Sequence, residues 1–154
     1  MKGSRMKIKS GLDKIYKEIE LLKLFAHQNV VTLYEIINDE ENDKLYLIID
    51  NCENGEIMSW SADTYKFTPY TGRDEFSEDE IRGFMRDIVD GLMYIHNTNV
   101  VHRDIKPQNI LVTSSHHCKI GDFGVAMLLP EDGDDTLDCT QGTYHFMPPE
   151  CWNF

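Results

Sequence analysis

The fold of this chain is decided by the stretch His102-Arg103-Asp104-Ile105-Lys106-Pro107-Gln108-Asn109, which runs directly into the apolar triplet Ile110-Leu111-Val112. Asp122-Phe123-Gly124 follows thirteen residues after Asn109, and Gly142-Thr143-Tyr144-His145-Phe146-Met147-Pro148-Pro149-Glu150 comes later. Short apolar pieces joined by polar loops indicate short strands that carry functional residues on the loops between them. Because three such segments in this order rarely arise by chance, we interpret them together as one site.

The residue types in these segments suit transfer of a phosphoryl group, which needs in-line positioning and charge neutralisation. A carboxylate has to hold the acceptor hydroxyl and take its proton, and Asp104 suits that role. Lys106 projects from the same loop and provides a cation for the migrating charge. Asn109 and Asp122 offer an amide oxygen and a carboxylate, which are ligands that Mg²⁺ accepts. Gly124 is expected to let the chain turn sharply after Asp122.

These segments resemble those of protein kinases. The stretch from His102 to Asn109 is similar to the catalytic loop, and Asp122-Phe123-Gly124 is similar to the metal-binding motif. The lysine two residues after Asp104 resembles the serine/threonine pattern, and the resemblance extends from about Leu12 to Glu150. It implies ATP-dependent phosphorylation of serine or threonine in a protein substrate, with ATP and Mg²⁺ as cofactors.

The resemblance also assigns roles to single residues. Asp104 would be the catalytic base and Lys106 the phosphate contact, while Asn109 and Asp122 would hold magnesium. Glu18 would pair with a lysine on a small-lobe strand. The adenine site would comprise the following residues: Ile49 at the gatekeeper position, Asp50 and Cys52 in the hinge, and Leu111 on the opposite side.

The fold class implied is α+β, a partial protein kinase domain over residues 1–154. Residues 12–49 would form the end of the small lobe, with a helix and strands. Residues 50–55 would form the hinge, and 56–154 the first half of the mainly helical large lobe.

The apolar periodicity supports this division. Ile15, Ile19 and Leu22 recur at helical spacing and predict a helix over 12–25. Two apolar runs, 30–37 and 44–49, flank a polar turn and predict a hairpin. Glu18 shares the apolar stripe of the helix, and this segment alone favours a side chain that reaches solvent. The resemblance reverses that interpretation.

The large-lobe part contains one strong helix signal. Residues 56–76 show a poor pattern and predict a loop or a short irregular helix. Ser77 and Glu80 form a capping box that starts a helix. One apolar face follows, and part of it is expected to be exposed if no further helix covers it. Its members are Ile81, Phe84, Met85, Ile88, Val89, Leu92 and Ile95.

Further matches concern activation. Leu22, Leu33, His102 and Phe123 match the four residues that stack between the lobes of an active kinase. Thr143 matches a threonine that braces Asp104 and Lys106.

Arg103 is the type of residue that grips a phosphate on the activation segment. The hypothesis is that an upstream kinase phosphorylates Thr140, with the permanent charge of Asp138 as the alternative.

Two departures from the family pattern leave a rival function open. No glycine-rich loop precedes Glu18, and Lys7 corresponds only faintly to the strand lysine. The chain therefore resembles a kinase truncated at both ends. The alternative function is a non-catalytic nucleotide- or protein-binding fragment of kinase descent, and an unrelated metal-dependent phosphotransferase is a more distant alternative. Within the superfamily, the run Ile15-Tyr16-Lys17-Glu18-Ile19-Glu20-Leu21-Leu22 is similar to the calcium/calmodulin-dependent group, and Phe146-Met147-Pro148-Pro149-Glu150 to its kinase-kinases.

Composition sets the remaining limits. Hydrophobic residues make up 41% and charged residues 27%, as in globular proteins. A net charge of -12 argues against nucleic-acid binding and a polybasic membrane anchor. The four cysteines form no CxxC pair, and His116-His117-Cys118 fits no common zinc spacing. With no signal peptide or membrane-spanning stretch in the sequence, we expect a cytoplasmic or nuclear protein.

Overall fold

A helix and a β-hairpin lie at the start of the described chain. The structure, a computed structural model, describes residues 14–130 and 141–152. Helix α1 covers 14–22 and is followed by the antiparallel hairpin of β1 (Leu33–Asp39) and β2 (Lys44–Ile49). The predicted helix and hairpin are confirmed, but β1 begins after Val30 and Val31. The Val31 N–H donates to Ile120 O at 2.9 Å, and Val30 forms a parallel bridge to the same residue.

The remaining elements are short strands around one long helix. In chain order they are β3 (Gly55–Glu56), β4 (Met58–Ser61), β5 (Lys66–Pro69), α2 (Glu78–Asn97), β6 (Val100–Val101), β7 (Ile110–Val112), β8 (Cys118–Ile120) and β9 (Met127–Leu128). All strand pairings are antiparallel, in the order β3-β7-β8, β4-β5 and β6-β9. Short 3-10 turns cover Pro107–Asn109, Tyr144–Phe146 and Pro149–Trp152. The predicted α+β class is confirmed.

The prediction of a loop or irregular helix over 56–76 is wrong for most of that segment. β4 and β5 form a hairpin in which Trp60 lies opposite Phe67, with their ring centroids 5.0 Å apart. The turn is closed by Tyr65, which has a φ of 52° and whose ring lies 6.4 Å from that of Trp60. Cross-strand aromatic pairs stabilise such a hairpin. Each strand has only four residues, which is too short for its alternation to stand out in the sequence.

Helix α2 starts as its capping box predicts. The Ser77 side chain accepts from the Glu80 N–H, and the Glu80 carboxylate accepts from the Ser77 N–H at 2.8 Å. Phe84 and Ile95 are buried. A second apolar row on this helix is about half exposed, as expected, and consists of Ile81, Met85, Val89 and Met93.

Gly91 brings α2 against the loop that precedes β1. An added Cβ at Gly91 would lie 2.7 Å from the backbone oxygen of Asn29, so only glycine fits this contact. The core forms where α2 meets β7, β8 and that loop. Its most deeply buried apolar side chains are Val30, Ile95, Val100, Val112, Ile120 and Phe123. Among the helices in the two described ranges, none has the length and hydropathy needed to span a bilayer.

Candidate active site

The predicted catalytic loop, which contains Asp104, is fixed at both ends by strands. Its first anchor is β6, which pairs with β9, and its last anchor is β7, the central strand of the β3-β7-β8 sheet. Between them the chain passes through His102–Lys106 and the 3-10 turn Pro107–Asn109. Arg103 has a φ of 65°, a left-handed conformation that costs energy in a non-glycine residue. The loop is therefore held in a defined and partly strained shape.

Asp104 lies at the centre of a hydrogen-bonded group. Its Oδ2 accepts from Lys106 Nζ at 2.7 Å, and its Oδ1 accepts from the Thr143 N–H at 2.7 Å. Lys106 Nζ also donates to Thr143 Oγ1 at 2.8 Å. The Asn109 amide nitrogen donates to the backbone oxygen of Asp104 at 2.8 Å and lies 3.2 Å from its Oδ2. The structure thus brings four predicted residues into direct contact.

The electrostatics keep Asp104 ionised at neutral pH. Burial raises the pKa of its carboxyl, but the hydrogen bonds and charge from Lys106 and Thr143 outweigh that effect and hold the pKa below its ordinary value. An ionised carboxylate with two positioned oxygens can receive a proton from a nearby hydroxyl.

His102 connects the backbone at Asp104 to the backbone at Gly121. It is almost fully buried, and burial lowers its pKa, so the ring is neutral at ordinary pH. Its Nε2 lies 2.9 Å from Gly121 O, and its Nδ1 accepts from the Asp104 N–H at 3.2 Å. This pair of contacts fits the tautomer with the proton on Nε2.

In the Asp122-Phe123-Gly124 segment, the residue with a left-handed backbone is the aspartate and not the glycine. Asp122 itself adopts the left-handed conformation, with a φ of 59°, whereas Gly124 does not have a positive φ. The expected turn is present, since the Ala126 N–H donates to Phe123 O at 3.0 Å across Gly124, but it does not need a left-handed glycine. Gly124 also leaves room for its neighbours, because an added Cβ would lie 3.2 Å from Asp122 Oδ1. The Gly124 N–H also donates to that oxygen at 3.3 Å.

Glu18 faces this segment and not open solvent. Its carboxylate accepts a hydrogen bond from the Phe123 N–H. Burial, and then the nearby charge of Asp122, raise the pKa of Glu18, while that hydrogen bond lowers it less. Position on the helix therefore places Glu18 at the site, as the resemblance implies. Lys7, its faint candidate partner, lies outside the described residues.

Asn109 and Asp122 together provide an oxygen set that fits Mg²⁺. The Gly121 N–H donates to the Asn109 backbone oxygen at 2.9 Å, which holds the residue before Asp122 against Asn109. The amide nitrogen of Asn109 is used on Asp104, so its Oδ1 is the atom left for a cation. An amide oxygen and an exposed carboxylate are hard ligands of the kind that magnesium takes beside phosphate oxygens and water.

The predicted hinge, residues 50–55, lies beside the same sheet. The Asn54 N–H donates to Val112 O at 3.0 Å, and Glu56 pairs with Leu111, so this end of the segment is fixed to β7. Ile49 ends β2 and is partly exposed. Asp50 points its carboxylate at Tyr34 and Lys119, with distances of 2.6 Å and 3.0 Å.

Comparisons with known proteins decide the family. The model of the protein kinase domain matches residues 1–153. This chain belongs to the protein kinase domain family. It is 40% identical over 141 residues to a probable serine/threonine-protein kinase of Dictyostelium discoideum, with 92% of this chain covered. It is also 40% identical over 158 aligned positions to serine/threonine-protein kinase ssp1 of Schizosaccharomyces pombe, and 37% identical over 142 residues to serine/threonine-protein kinase GRIK2 of Arabidopsis thaliana.

The kinase domain sequence is shorter than these relatives. The match covers 98% of this chain against the yeast protein and 92% against the plant protein. It spans only 18% of the Dictyostelium protein, 22% of the yeast protein and 32% of the plant protein.

The cluster around Phe123 in this kinase domain contains one residue that the sequence did not indicate. The ring of Phe123 lies 4.9 Å from His102 and 4.7 Å from Phe25. Leu22 is buried in the same cluster, and Leu33 is packed against it. Phe25 follows α1 and is almost fully buried. Its spacing of three from Leu22 is the signal that could have found it.

The structure describes Arg103 but not the residue predicted to be phosphorylated. Arg103 Nε donates to Val125 O at 2.7 Å, so the guanidinium lies close to the segment after Asp122. Thr140, Asp138 and Cys139 lie outside the described residues.

Proposed function

We propose that this chain carries out ATP-dependent phosphorylation of serine or threonine in protein substrates. The observation that carries the proposal is the direct contact among Asp104, Lys106, Asn109 and Thr143, because it presents one ionised carboxylate and one ammonium at the same place. Phosphoryl transfer depends mainly on such positioning and charge. Family membership supports the same function.

In this mechanism Asp104 accepts the hydrogen bond of the substrate hydroxyl and then takes its proton. The hydroxyl oxygen forms a bond to the γ-phosphorus of ATP while the bond to the departing ADP oxygen breaks. Lys106 compensates the charge on the transferred group, and Thr143 keeps Asp104 and Lys106 oriented. Asn109 and Asp122 would hold Mg²⁺, which supplies charge neutralisation on the phosphates.

The nucleotide would lie between the two proposed lobes. We assign residues 12–49 to the small lobe, 50–55 to the hinge and 56–154 to the large lobe. Ile49, Asp50, Cys52 and Leu111 would contact the adenine, and Glu18 would orient the phosphate-binding lysine. Support comes from the pairing of β3 with β7, in which Glu56, directly after residues 50–55, lies opposite Leu111.

The test is phosphate transfer from labelled ATP to a library of serine- and threonine-containing peptides. Asp104→Asn keeps the shape of the side chain but removes the base, so the rate should fall by about 100-fold or more. Asp90→Asn, the same charge change at an exposed position of α2, should leave the rate unchanged. Calorimetry with ATP, with and without Mg²⁺, separates the rival function. Magnesium-dependent binding without transfer would favour the non-catalytic nucleotide-binding alternative.

A finer assignment is to the calcium/calmodulin-dependent group, in its kinase-kinase branch. It rests on the sequence of α1 and on residues Phe146–Glu150. A kinase-kinase should prefer a threonine peptide taken from the activation segment of another kinase over a generic basic serine peptide. Equal rates on both peptides would exclude the branch.

An upstream kinase acting on Thr140 is a separate proposal. Its support is that Gly142 packs on Arg103, where an added Cβ would lie 2.4 Å from the Arg103 backbone oxygen, and that arginine is a residue type that binds phosphate. Phosphopeptide mapping of active protein tests it, and activity without phosphate at Thr140 would contradict it.

We also place the protein in the cytoplasm or nucleus, where thiols stay reduced. The buried Cys118, whose pKa burial raises to about 12, is consistent with this placement.

A further inference from the structure

A cavity of about 300 Å³ lies where three elements of the fold meet. These are the loop before β1, helix α2 and the turn between β7 and β8. Its lining includes the polar side chains of Asn29, Asp87, Thr113, Ser115, His117 and Lys119. The proposed phosphate-transfer mechanism uses none of these groups. A concave site of this size with several convergent polar groups is typical of ligand binding.

Asn29 provides a buried acceptor without a partner among the described residues. The residue is 2% exposed, and its amide nitrogen donates to Cys118 O at 2.9 Å. That bond fixes which end of the amide carries the oxygen. The Oδ1 is buried and accepts no hydrogen bond from the described part of the chain. Buried polar atoms almost always have a partner, so this oxygen favours a donor at the cavity.

Asp87 provides the charge. Its Oδ2 accepts from the Cys118 N–H at 2.8 Å and lies 3.1 Å from His117 Nδ1. Because both contacts use the same oxygen, Oδ1 remains an acceptor. The positive charge of Lys119, the other ionised group in the lining, is neutralised by Asp50, whose Oδ2 lies 3.0 Å from its Nζ. The charge left at the cavity is therefore negative.

We propose that this cavity binds a guanidinium group, the side chain of an arginine from a partner protein. A guanidinium has five N–H donors and no acceptor, so it matches a wall that combines a carboxylate, an amide oxygen and hydroxyls. A metal ion fits less well, because the cavity is far larger than one ion. The residues described also contain no cluster of three or more histidine, cysteine or acidic side chains suited to a metal.

The experiment titrates the 154-residue chain with N-acetyl-arginine amide and follows backbone amide signals by two-dimensional NMR. Signals of Asn29, Ser115 and His117 should shift and saturate. N-acetyl-citrulline amide has the same shape without the charge. Its affinity should be at least about tenfold lower, which corresponds to a difference of about 1.4 kcal/mol in binding free energy. N-acetyl-lysine amide distinguishes a guanidinium site from a general cation site, and equal affinity for the lysine and arginine probes would overturn the guanidinium assignment.

Variants locate the binding. Asp87→Asn keeps an oxygen for the Cys118 N–H and should weaken arginine binding by about tenfold. Asp90→Asn, one turn along α2 and outside the cavity, should bind within about twofold of the parent chain. The wild-type comparison of arginine with citrulline needs no variant, so it stands even if Asp87→Asn unfolds. Equal binding of the two probes, or shifts confined to residues outside the cavity, would overturn the proposal.

Discussion

The two halves of the candidate active site are held together in different ways. On the catalytic-loop side, Asp104 and Lys106 form an ion pair at 2.7 Å with little exposure, and Thr143 binds both. On the α1 side, Glu18 meets one backbone N–H and the like charge of Asp122. The first half is electrostatically complete among the described residues, and the second is not.

This difference shows which part of the site a local sequence can specify. Asp104, Lys106 and Asn109 lie within five residues of each other, so the motif fixes most of their contacts. Glu18 and Asp122 come from distant parts of the chain and still require a cation. We therefore expect changes to the first half to cost both activity and stability, and removal of the Glu18 charge in the second half to raise stability slightly at neutral pH.

The largest effect is expected from Gly142→Ala. Gly142 has a φ of 114°, and an added Cβ would lie 2.4 Å from the Arg103 backbone oxygen. The substitution should displace Thr143 from Asp104, and a misplacement of this kind lowers rates by about 100-fold. Phosphate transfer to a peptide measures it, with circular dichroism to confirm folding.

Gly124→Ala is the matched control in the other half. Its Cβ would meet the Asp122 side chain at 3.2 Å, and a side chain moves more easily than backbone. The rate of phosphate transfer should fall by less than about tenfold in this variant. Equal losses for the two variants would contradict the difference between the halves.

A smaller effect is expected from Lys106→Met, which removes one partner of a largely buried ion pair. The free energy of unfolding at neutral pH should fall by about 2 kcal/mol, because Asp104 loses a charged donor. The folded pKa of Asp104 lies below its ordinary value, so this stabilisation is present above the ordinary carboxyl pKa and is lost as pH falls through the folded pKa. Urea unfolding across that pH range measures the two free energies of unfolding, and the difference between variant and parent should shrink as the pH falls.

Lys23→Met is the exposed control. Lys23 pairs with Glu20 at 2.6 Å, but both side chains are about half exposed or more. The free energy of unfolding should therefore fall by less than about 0.5 kcal/mol in Lys23→Met. A pH-independent loss in Lys106→Met would show that the lysine acts through packing and not through Asp104.

The smallest effect, and one of opposite sign, is expected from Glu18→Gln. Burial and then the charge of Asp122 raise the pKa of Glu18, so its ionised form is unfavourable in the folded chain. Stability falls as pH rises from the ordinary pKa through the raised one. Glu18→Gln should therefore stabilise the chain at neutral pH by less than about 1 kcal/mol and change nothing at lower pH, where the carboxyl is protonated. Urea unfolding at both pH values measures it, and destabilisation at neutral pH would refute it.

The sequence predicted those parts of the molecule whose contacts are local or whose side chains show a clear period. The capping box of α2 and the contacts of Asp104 with Lys106 and Asn109 are of this kind, whereas the contact with Thr143, which is 39 residues away, was expected only from the family resemblance. The hairpin of β4 and β5 was missed because two strands of four residues depend on a Trp60–Phe67 pair and not on alternation. The left-handed backbone of Asp122 could not be predicted, since rules of propensity assign that conformation to glycine and surrounding contacts impose it here.

The contact of Gly91 with Asn29 had a visible signal that was not used. A glycine inside a strongly apolar helix costs helix stability, so its presence indicates close approach of another backbone. The cavity beside Asn29 had no such signal, because its lining comes from three separated parts of the chain.

The attachment of the loop before β1 to α2 and Ile120 has a mechanical consequence. The chain crosses from the hairpin to the rest of the fold at Thr32 and at Asp50. The Asp50 N–H donates to Thr32 O at 3.1 Å, and the Thr32 N–H donates to Asp50 Oδ2 at 2.8 Å. Since the residues just before Thr32 stay with α2 and Ile120, we expect any movement of the hairpin relative to the rest of the fold to pivot about this reciprocally bonded pair of crossings. Two crossings side by side define one axis of rotation, so the hairpin should swing about that axis and resist rotation about any other axis.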